Sequence, residues 1–258
     1  MARYKKVFLI KALVMQILLM LSSTGIAQMM AVSNDRAITA ADPYCGDDGY
    51  VKSALGIADG CVAITVANPD QVPANVSDWI LIELRTTQTV VARKPAFLLN
   101  SGYVVDAEQY QGNVNCDTFD VTDTTNCPLV QFSFDDDVSG VDLYAVVRHI
   151  NHLDIISEGV LASTTTESVI RYFYDFTESD ARGGFLAAKK VRINEGERNA
   201  MYVGDVNGDT NINAADYLRI LDSSRTASDD INFDGMVNES DITDYRLRQN
   251  LGRASQLR

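Results

Sequence analysis

The sequence predicts a mainly β protein, an antiparallel β-sandwich followed by a small α-helical module built on two repeated loops. Three observations lead to this prediction. Short β-prone runs recur along residues 43–199, an acidic pattern occurs twice between Asp205 and Asp241, and an apolar segment with a basic start opens the chain. Together they divide the chain into a leader segment, a β domain and a C-terminal module.

The β domain is indicated by apolar runs that are separated by clusters of Gly, Asn, Asp and Ser. Several runs alternate apolar and polar residues, as expected for strands with one face in a core. A segment of roughly 150 residues is long enough to bury such a core. A succession of seven or more short runs favours an antiparallel sandwich. The runs are Val62–Val66, Trp79–Leu84, Thr89–Ala92, Ala96–Leu99, Tyr103–Val105, Leu129–Phe134, Val141–Val147, Asp154–Leu161 and Ser168–Tyr174.

The C-terminal module repeats one pattern: the residues from Asp205 to Asp216 recur 25 positions later, from Asp230 to Asp241. Oxygen-bearing side chains stand at positions 1, 3, 5, 9 and 12 of each copy, and position 7 offers a main-chain carbonyl. Calcium takes about six to eight oxygens, and a tightly wound loop turns alternate side chains toward one point. The pattern therefore predicts two Ca²⁺ ions. The predicted ligands are Asp205, Asn207, Asp209, Asn211, Asn213 and Asp216 in the first loop, and Asp230, Asn232, Asp234, Met236, Asn238 and Asp241 in the second.

The two loops differ at position 6, where the sharp turn favours a positive φ angle. Gly235 accommodates this angle without a steric penalty, whereas Thr210 is expected to be strained, so the second loop should be the better formed. Position 12 holds aspartate, which is one methylene shorter than the glutamate usual there. The position-8 residues Ile212 and Val237 are expected to pair the loops through a short β contact.

Each loop is followed by helical periodicity, and the residues 201–204 before the first loop indicate strand or coil. Two loop–helix units at this spacing resemble the type I dockerin module, from Gly204 to about Gly252. An acidic, Asn-rich surface loop is the alternative. The apolar stripes of the two predicted helices are Tyr217, Leu218, Ile220 and Leu221 within Ala214–Leu221, and Ile242, Tyr245 and Leu247 after the second loop.

The dockerin resemblance implies a partner. Dockerins bind cohesin domains and so attach proteins to a scaffold or cell surface, partly through small hydroxyl residues at loop positions 10 and 11. These positions hold Ala214–Ala215 and Glu239–Ser240 here, a departure from the family pattern that leaves the calcium ligands intact. A calcium-stabilised terminal module without a cohesin is the competing interpretation.

Residues 1–27 have the features of a secretory signal peptide. Basic residues up to Lys6 precede a largely apolar stretch, and small residues follow, with cleavage expected near Ala27. The apolar run after Lys11 is too short for a comfortable membrane span of about 20 residues. The protein is expected to be secreted or held at the cell surface, with no transmembrane span after processing. The predicted segments are a signal peptide (1–27), a flexible lead-in (28–42), a β-sandwich (43–199), a calcium-binding module (200–252) and a tail (253–258).

The charge of the chain excludes one class of partner. The formal net charge is −13, and the predicted processing removes four basic residues and no acidic ones. Nucleic acids are bound through clustered Lys and Arg, so a nucleic-acid partner is not expected. Between Gly204 and Gly252 there are ten acidic residues and four arginines, and bound cations would reduce this excess of negative charge.

Four cysteines follow the signal peptide, and an even count in an exported chain predicts two disulfides. Proximity in sequence favours Cys45–Cys61 and Cys116–Cys127 among the three connectivities. Free thiols or zinc ligands are the alternatives, but the chain has no Cys-x-x-Cys pair and the spacings do not suit a zinc site.

The β domain carries a second resemblance, through Asp78–Arg85, Val90–Arg93 and Val147–Leu153. These segments are similar to an immunoglobulin-like β-sandwich module found near the C termini of surface-associated proteins of Bacteroidota-type bacteria. In that family a Tyr-x-Gly-Asp-x-Asn sequence also follows, as at Tyr202–Asn207 here. The resemblance spans about residues 78–209, and it implies a fold without a catalytic role.

No catalytic pattern is evident. His149 and His152 are the only histidines, and three residues apart on a strand they should face opposite sides, which favours a structural role over a metal site. The lone Trp79 is expected in the core rather than as a sugar platform, and Asp135–Asp137 is expected at a hairpin tip. Arg148 is expected to pair with a carboxylate.

The sequence therefore predicts an exported, non-enzymatic surface or adaptor protein that docks through its dockerin-like module to a cohesin-like or other surface protein. A carbohydrate-binding component of polysaccharide degradation is one alternative. Exposed aromatic side chains would favour it, with Tyr103, Tyr110, Tyr144 and Tyr172 as candidates. A purely structural, calcium-stabilised module is the other.

Overall fold

The computed structural model describes a mainly β protein with two short helices. The described residues are 13–20, 66, 72–99, 103–112, 128–134, 141–166, 169–176, 189–193, 196–221, 230–231, 236–243 and 251–254. The cysteine predictions therefore lie outside the described residues, as do those for Asn232, Asp234, Gly235 and Asp135–Asp137.

Eleven strands and two helices lie in the described ranges. The strands are β1 (Leu13–Met20), β2 (Val76–Arg85), β3 (Val90–Leu99), β4 (Val104–Val105), β5 (Val130–Phe134), β6 (Tyr144–His149), β7 (His152–Ile156), β8 (Ala162–Thr166), β9 (Val169–Asp175), β10 (Lys189–Ile193) and β11 (Gly196–Ala200). The helices are α1 (Ala214–Leu221), which confirms the predicted range, and α2 (Glu239–Thr243).

The largest sheet has five strands in the order β4-β3-β2-β6-β7, and every neighbouring pair is antiparallel. This sheet confirms the predicted antiparallel β structure. A second sheet has the order β5-β1-β9-β8, and β10 pairs with β11 in a separate two-stranded sheet. The five-stranded sheet ends at β7, and this edge is where the C-terminal module attaches.

The main core draws on both larger sheets. Ile80, Ile82 and Leu84 of β2 alternate along the strand and are buried together with Val130 and Phe132 of β5. This period-two pattern is the one that made the strands recognisable in the sequence. Trp79 is 3% exposed and its ring lies 4.3 Å from that of Phe97, so it is buried as expected.

Two predicted runs, 89–92 and 96–99, are joined in the single strand β3 despite Pro95. Pro95 lies opposite Leu81 of β2, while β4 pairs only with Phe97 and Leu98. Pro95 thus lies where β4 leaves the other side of β3 uncovered, a position that tolerates a residue without an N–H.

Strand β1 comes from the predicted signal peptide. It lies between β5 and β9, antiparallel to the first and parallel to the second, so the four-stranded sheet is mixed rather than antiparallel. The main-chain N–H and carbonyl groups of an apolar run of this length can form hydrogen bonds in a sheet as well as in a leader helix. This pairing belongs to the unprocessed chain, and cleavage near Ala27 stays a prediction. In the described ranges, no helix combines the length and apolar composition that crossing a membrane requires.

Candidate calcium sites and their junction with the sheet

The chain enters the first loop along the edge of the five-stranded sheet. The Leu153 N–H donates to the Tyr202 carbonyl (2.8 Å), and the Gly204 N–H donates to the Asn151 carbonyl (2.7 Å). His152 and Val203 form an antiparallel bridge between these two bonds. The segment before Asp205 therefore lies antiparallel beside the start of β7, at the edge of the sheet, which agrees with the strand or coil expected there.

The first loop turns sharply at the residues expected to turn. The Thr210 N–H donates to Asp205 Oδ2 (3.0 Å), which links positions 1 and 6. Thr210 has a φ angle of 71°, the left-handed conformation that disfavours a β-branched side chain. The predicted strain at Thr210 is confirmed. Its glycine counterpart in the second loop lies outside the described residues, so the comparison between the loops stays a prediction.

The position-12 carboxylates close the two loops in similar ways. Asp216 accepts the N–H groups of Asn207 (3.3 Å) and Asn213 (2.8 Å). Asp241 accepts those of Ile231 (2.8 Å) and Asn238 (2.9 Å). Both aspartates are fully buried. The bond from position 9 is thus repeated in both loops, whereas a second donor stands at position 3 in the first loop and at position 2 in the second.

The position-9 asparagines cap the helices that follow. Asn213 Oδ1 accepts the Ala215 N–H (2.7 Å) at the start of α1, and Asn238 Oδ1 accepts the Ser240 N–H (2.7 Å) at the start of α2. A side-chain oxygen at this place satisfies a helix N–H that has no partner within the helix. The pattern read as ligand spacing therefore also fixes where each helix begins.

A small apolar core lies beneath the loops. It joins Leu153 of β7 to residues on both loops and α1, namely Tyr202, Val203, Val206, Ile212, Ile220 and Ile231, with Tyr217 packed against it. The predicted stripe on α1 is only half right, because Leu218 and Leu221 are 64% and 49% exposed. Of the four stripe residues only Ile220 is fully buried, since a helix of eight residues lying on a small core covers it with one narrow face.

The first loop is also tied to the end of the chain. The Ile212 N–H donates to the Arg253 carbonyl (2.8 Å), and the Gly252 N–H donates to the Ile212 carbonyl (2.7 Å). Ile212 was expected to pair with Val237; the main-chain bonds described for Ile212 go to Gly252 and Arg253, and pairing with Val237 stays a prediction. The Arg253 guanidinium lies 5.0 Å from the centre of the Tyr202 ring, which adds a cation–π contact.

The electrostatics of the first loop favour a bound cation. Asp205 is 1% exposed, and its Oδ1 is a buried acceptor that has no hydrogen-bond partner among the described residues. Burial, with the charges of Asp216, Asp154 and Asp209, raises the Asp205 pKa to about 8. Burial also raises the pKa of Asp216. A divalent cation would satisfy the buried oxygen and offset the repulsion between carboxylates.

The predicted ligand atoms are of the chemical type that calcium prefers. Its oxygens come from carboxylates, amides and main-chain carbonyls, which are the ligands of a hard cation. Asp209 is exposed and accepts the Asn211 N–H (2.9 Å) and the Asn207 Nδ2–H (3.0 Å). Within the described ranges, no three His, Cys, Asp or Glu side chains converge as a metal cluster. The structure thus brings positions 1 and 12 into the interior and leaves position 5 at the surface.

The two histidines meet beside the loops. A two-residue turn separates β6 from β7, so His149 and His152 face each other with ring centres 4.6 Å apart. The expectation of opposite faces was wrong, because it assumed a continuous strand. His149 Nε2 lies 3.2 Å from Asp78 Oδ2, so a carboxylate contacts this imidazole.

Arg148 belongs to a buried charge network, as expected. Its guanidinium donates to Glu83 (3.2 Å) and contacts Asp154. Burial and the nearby Glu83 charge raise the Asp154 pKa to about 6, while Arg148 opposes the rise. Since the Asp154 charge also raises the pKa of Asp205, the network in the sheet acts electrostatically on the first loop.

Some features of the site could not be found from sequence. The Asn151 side chain donates to the Asp230 carbonyl (3.0 Å), a contact between residues far apart in the chain. In the sequence, only the two histidines that flank the turn between β6 and β7 set this turn apart from the others. Of the four aromatic candidates for glycan binding, Tyr110 is buried and contacts Asn75, so it offers no exposed ring.

Comparison of the chain with protein-family models, with curated proteins and with solved structures gives no match. The site is therefore defined by its own geometry: two repeated acidic loops, a buried carboxylate oxygen at the head of the first, and a common attachment to the β7 edge.

Proposed function

We propose that this chain is an exported, non-catalytic calcium-binding protein whose C-terminal module is dockerin-like and holds two ions. The observation that carries the proposal is the buried Oδ1 of Asp205, at position 1 of the first loop, to which no described residue donates a hydrogen bond. A carboxylate oxygen in this setting is costly without a positive charge beside it. Calcium supplies that charge, and the oxygen ligands at the remaining positions suit it.

The role of calcium in this proposal is to order the module. The apolar core beneath the loops is small, and helix α2 spans only five residues. Short helices are marginal without tertiary support, so the loops must hold them in place. Without calcium the acidic ligands repel one another, and the module should lose much of its fixed structure.

The proposed activity is docking to another surface protein. Leu218 and Leu221 lie one turn apart on α1 and are 64% and 49% exposed. Exposed apolar side chains that share a helix face are a common feature of protein interfaces. The β domain, proposed as an immunoglobulin-like sandwich, would then be the part that is presented at the surface.

Calorimetry tests the calcium sites. We expect the processed protein, stripped with EDTA and dialysed, to bind two calcium ions. Asp205→Asn should remove the first site alone, because only that loop contains it. Asp142→Asn, a change at an exposed acid outside the loops, should leave both sites intact. Absence of heat at millimolar calcium in the wild type would exclude the proposal.

Capture of a partner tests docking separately. In calcium, the wild-type protein should retain a partner from the native cell envelope, and EDTA should release it. Leu218→Ser with Leu221→Ser should abolish capture while leaving the calcium heats unchanged. Val160→Ser, at another exposed apolar residue, serves as the control. If calcium binds but no partner is retained, the module is structural only.

A further inference from the structure

We propose that Asn151 is a positioning residue that holds the main chain where each of the two proposed calcium loops begins, and that its side chain acts on the second site selectively. This inference rests on the calcium function proposed above. Asn151 lies in the turn between β6 and β7 and is fully buried. It belongs to neither loop and supplies no predicted ligand.

Two hydrogen bonds connect Asn151 to the loops, and they differ in kind. Its main-chain carbonyl accepts the Gly204 N–H (2.7 Å), immediately before position 1 of the first loop. Its side-chain Nδ2 donates to the main-chain carbonyl of Asp230 (3.0 Å), at position 1 of the second loop. A substitution can therefore remove the contact with the second loop and keep the contact with the first.

The orientation of the Asn151 amide is itself fixed. Because Nδ2 donates to Asp230, Oδ1 must accept, and His149 Nδ1 lies 3.0 Å from it. The same imidazole contacts His152 and Asp78. Rotation of the amide would break bonds at both of its ends. The turn thus offers the second loop a rigid donor rather than a mobile one.

The consequence for calcium follows from preorganisation. A ligand that is already held in place loses less conformational entropy when the ion binds. The groups that orient metal ligands typically change metal affinity by about 10–100-fold when they are removed. Loss of the Asn151 amide should therefore weaken the second site by about tenfold.

Single-site backgrounds separate the two effects. Asp205→Asn leaves the second site to be measured by calcium titration calorimetry, and Asp230→Asn leaves the first. Adding Asn151→Leu, which keeps about the size of the side chain, adds no charge and removes the donor, should weaken calcium binding about tenfold in the first background. In the second background the change should be less than about twofold, because the main-chain bond to Gly204 remains.

Further variants make the outcome decisive. Asn151→Ala should match Asn151→Leu if the hydrogen bond matters, whereas a packing role would make only the alanine variant weaker. Asn75→Ala, in a turn before β2, should change neither site. Equal effects on both sites, no effect, or unfolding of both Asn151 variants in calcium would overturn the inference. Loss of calcium binding in the wild type would instead refute the proposed function itself.

Discussion

Glu83 is a fully buried carboxylate that is surrounded by arginines. Its oxygens lie 2.9 Å from Arg93 and 3.2 Å from Arg148, with Arg85 at 3.6 Å. A buried charge is stable only when its partners compensate the loss of water, and here the compensation is shared by several groups. The network holds β2, β3 and β6 together on the face away from the main core.

Replacing Glu83 by Gln should destabilise the protein by about 3–5 kcal/mol, because buried guanidinium groups would lose their countercharge. The measurement is the free energy of unfolding in urea. Glu108→Gln is the matched control: Glu108 also pairs with a basic residue, Lys94, but its side chain is 43% exposed. That change should cost less than about 1 kcal/mol. Equal losses for the two variants would contradict the assigned burial.

Asp154 should make the calcium-free protein less stable as the pH rises. Its pKa is about 6 in the folded state, mainly because of burial, against an ordinary value of 3.8. The folded state therefore binds this proton more tightly, and the stability it contributes below pH 3.8 is lost as the pH rises through about 6.

Between about pH 4 and 6.5, the free energy of unfolding of the wild type should fall by on the order of 1–3 kcal/mol more than that of an Asp154→Asn variant. In EDTA, Asp154→Asn should flatten the fall in unfolding free energy that the wild type shows from pH 4 to about 6.5. Asp142→Asn, at an exposed position, should leave the slope as in the wild type. A slope that Asp154→Asn does not alter would assign the pH dependence to other groups.

At the scale of elements, the first loop contains a strained residue, Thr210, whose φ angle is 71°. A side chain in the left-handed region costs about 1–2 kcal/mol, and glycine avoids this cost while losing some of the gain to chain entropy. Thr210→Gly should therefore raise the unfolding free energy by about 0.5–1 kcal/mol. The gain should also appear as tighter calcium binding at the first site.

Two neighbouring changes check the origin of that gain. Thr210→Ala keeps a β-carbon at the same φ angle of 71°, so it should give little improvement. Gly208 has the same φ angle, and Gly208→Ala should lower stability by about 1–2 kcal/mol. If alanine at position 210 stabilises the protein as much as glycine does, the threonine side chain and not the backbone conformation is the source of the destabilisation.

Elements governed by local sequence were the ones that could be predicted. The alternation of Ile80, Ile82 and Leu84 indicated a strand, and the loop spacing located helix α1 and the strained Thr210 correctly. These features depend on periodicity and φ preference, which a few neighbouring residues determine. The strands β8, β10 and β11 were not predicted individually, since their runs are short and polar.

Features that depend on contacts between distant residues were missed. The facing of His149 and His152 depends on a tight turn, and the bond from Asn151 to Asp230 depends on how the module docks. The exposure of Leu218 reflects the size of the core beneath α1. None of these is encoded by spacing alone, because each is decided by which elements pack together.

For the whole molecule, the important feature is that the C-terminal module, proposed to bind calcium, shares a core and main-chain hydrogen bonds with the edge of the five-stranded sheet. Leu153 of β7 belongs to the core beneath the loops, and the segment 202–204 extends the sheet edge. Both calcium loops reach the β6–β7 turn through Asn151. Stabilisation of the loops by a bound ion should therefore be transmitted to the sheet.

Trp79 offers a reporter for this coupling, because it is the only tryptophan and lies in β2, next to β6 in the sheet. Its fluorescence should report the melting of the sheet, while circular dichroism at 222 nm reports the helices. We expect both to show one shared transition in calcium, since a ligand that binds only the folded state stabilises everything that unfolds with the site. EDTA should lower the midpoint of the Trp79 transition as well. A Trp79 transition that is indifferent to calcium would mean that the module unfolds independently, and that the bonds at the β7 edge do not couple it to the sheet.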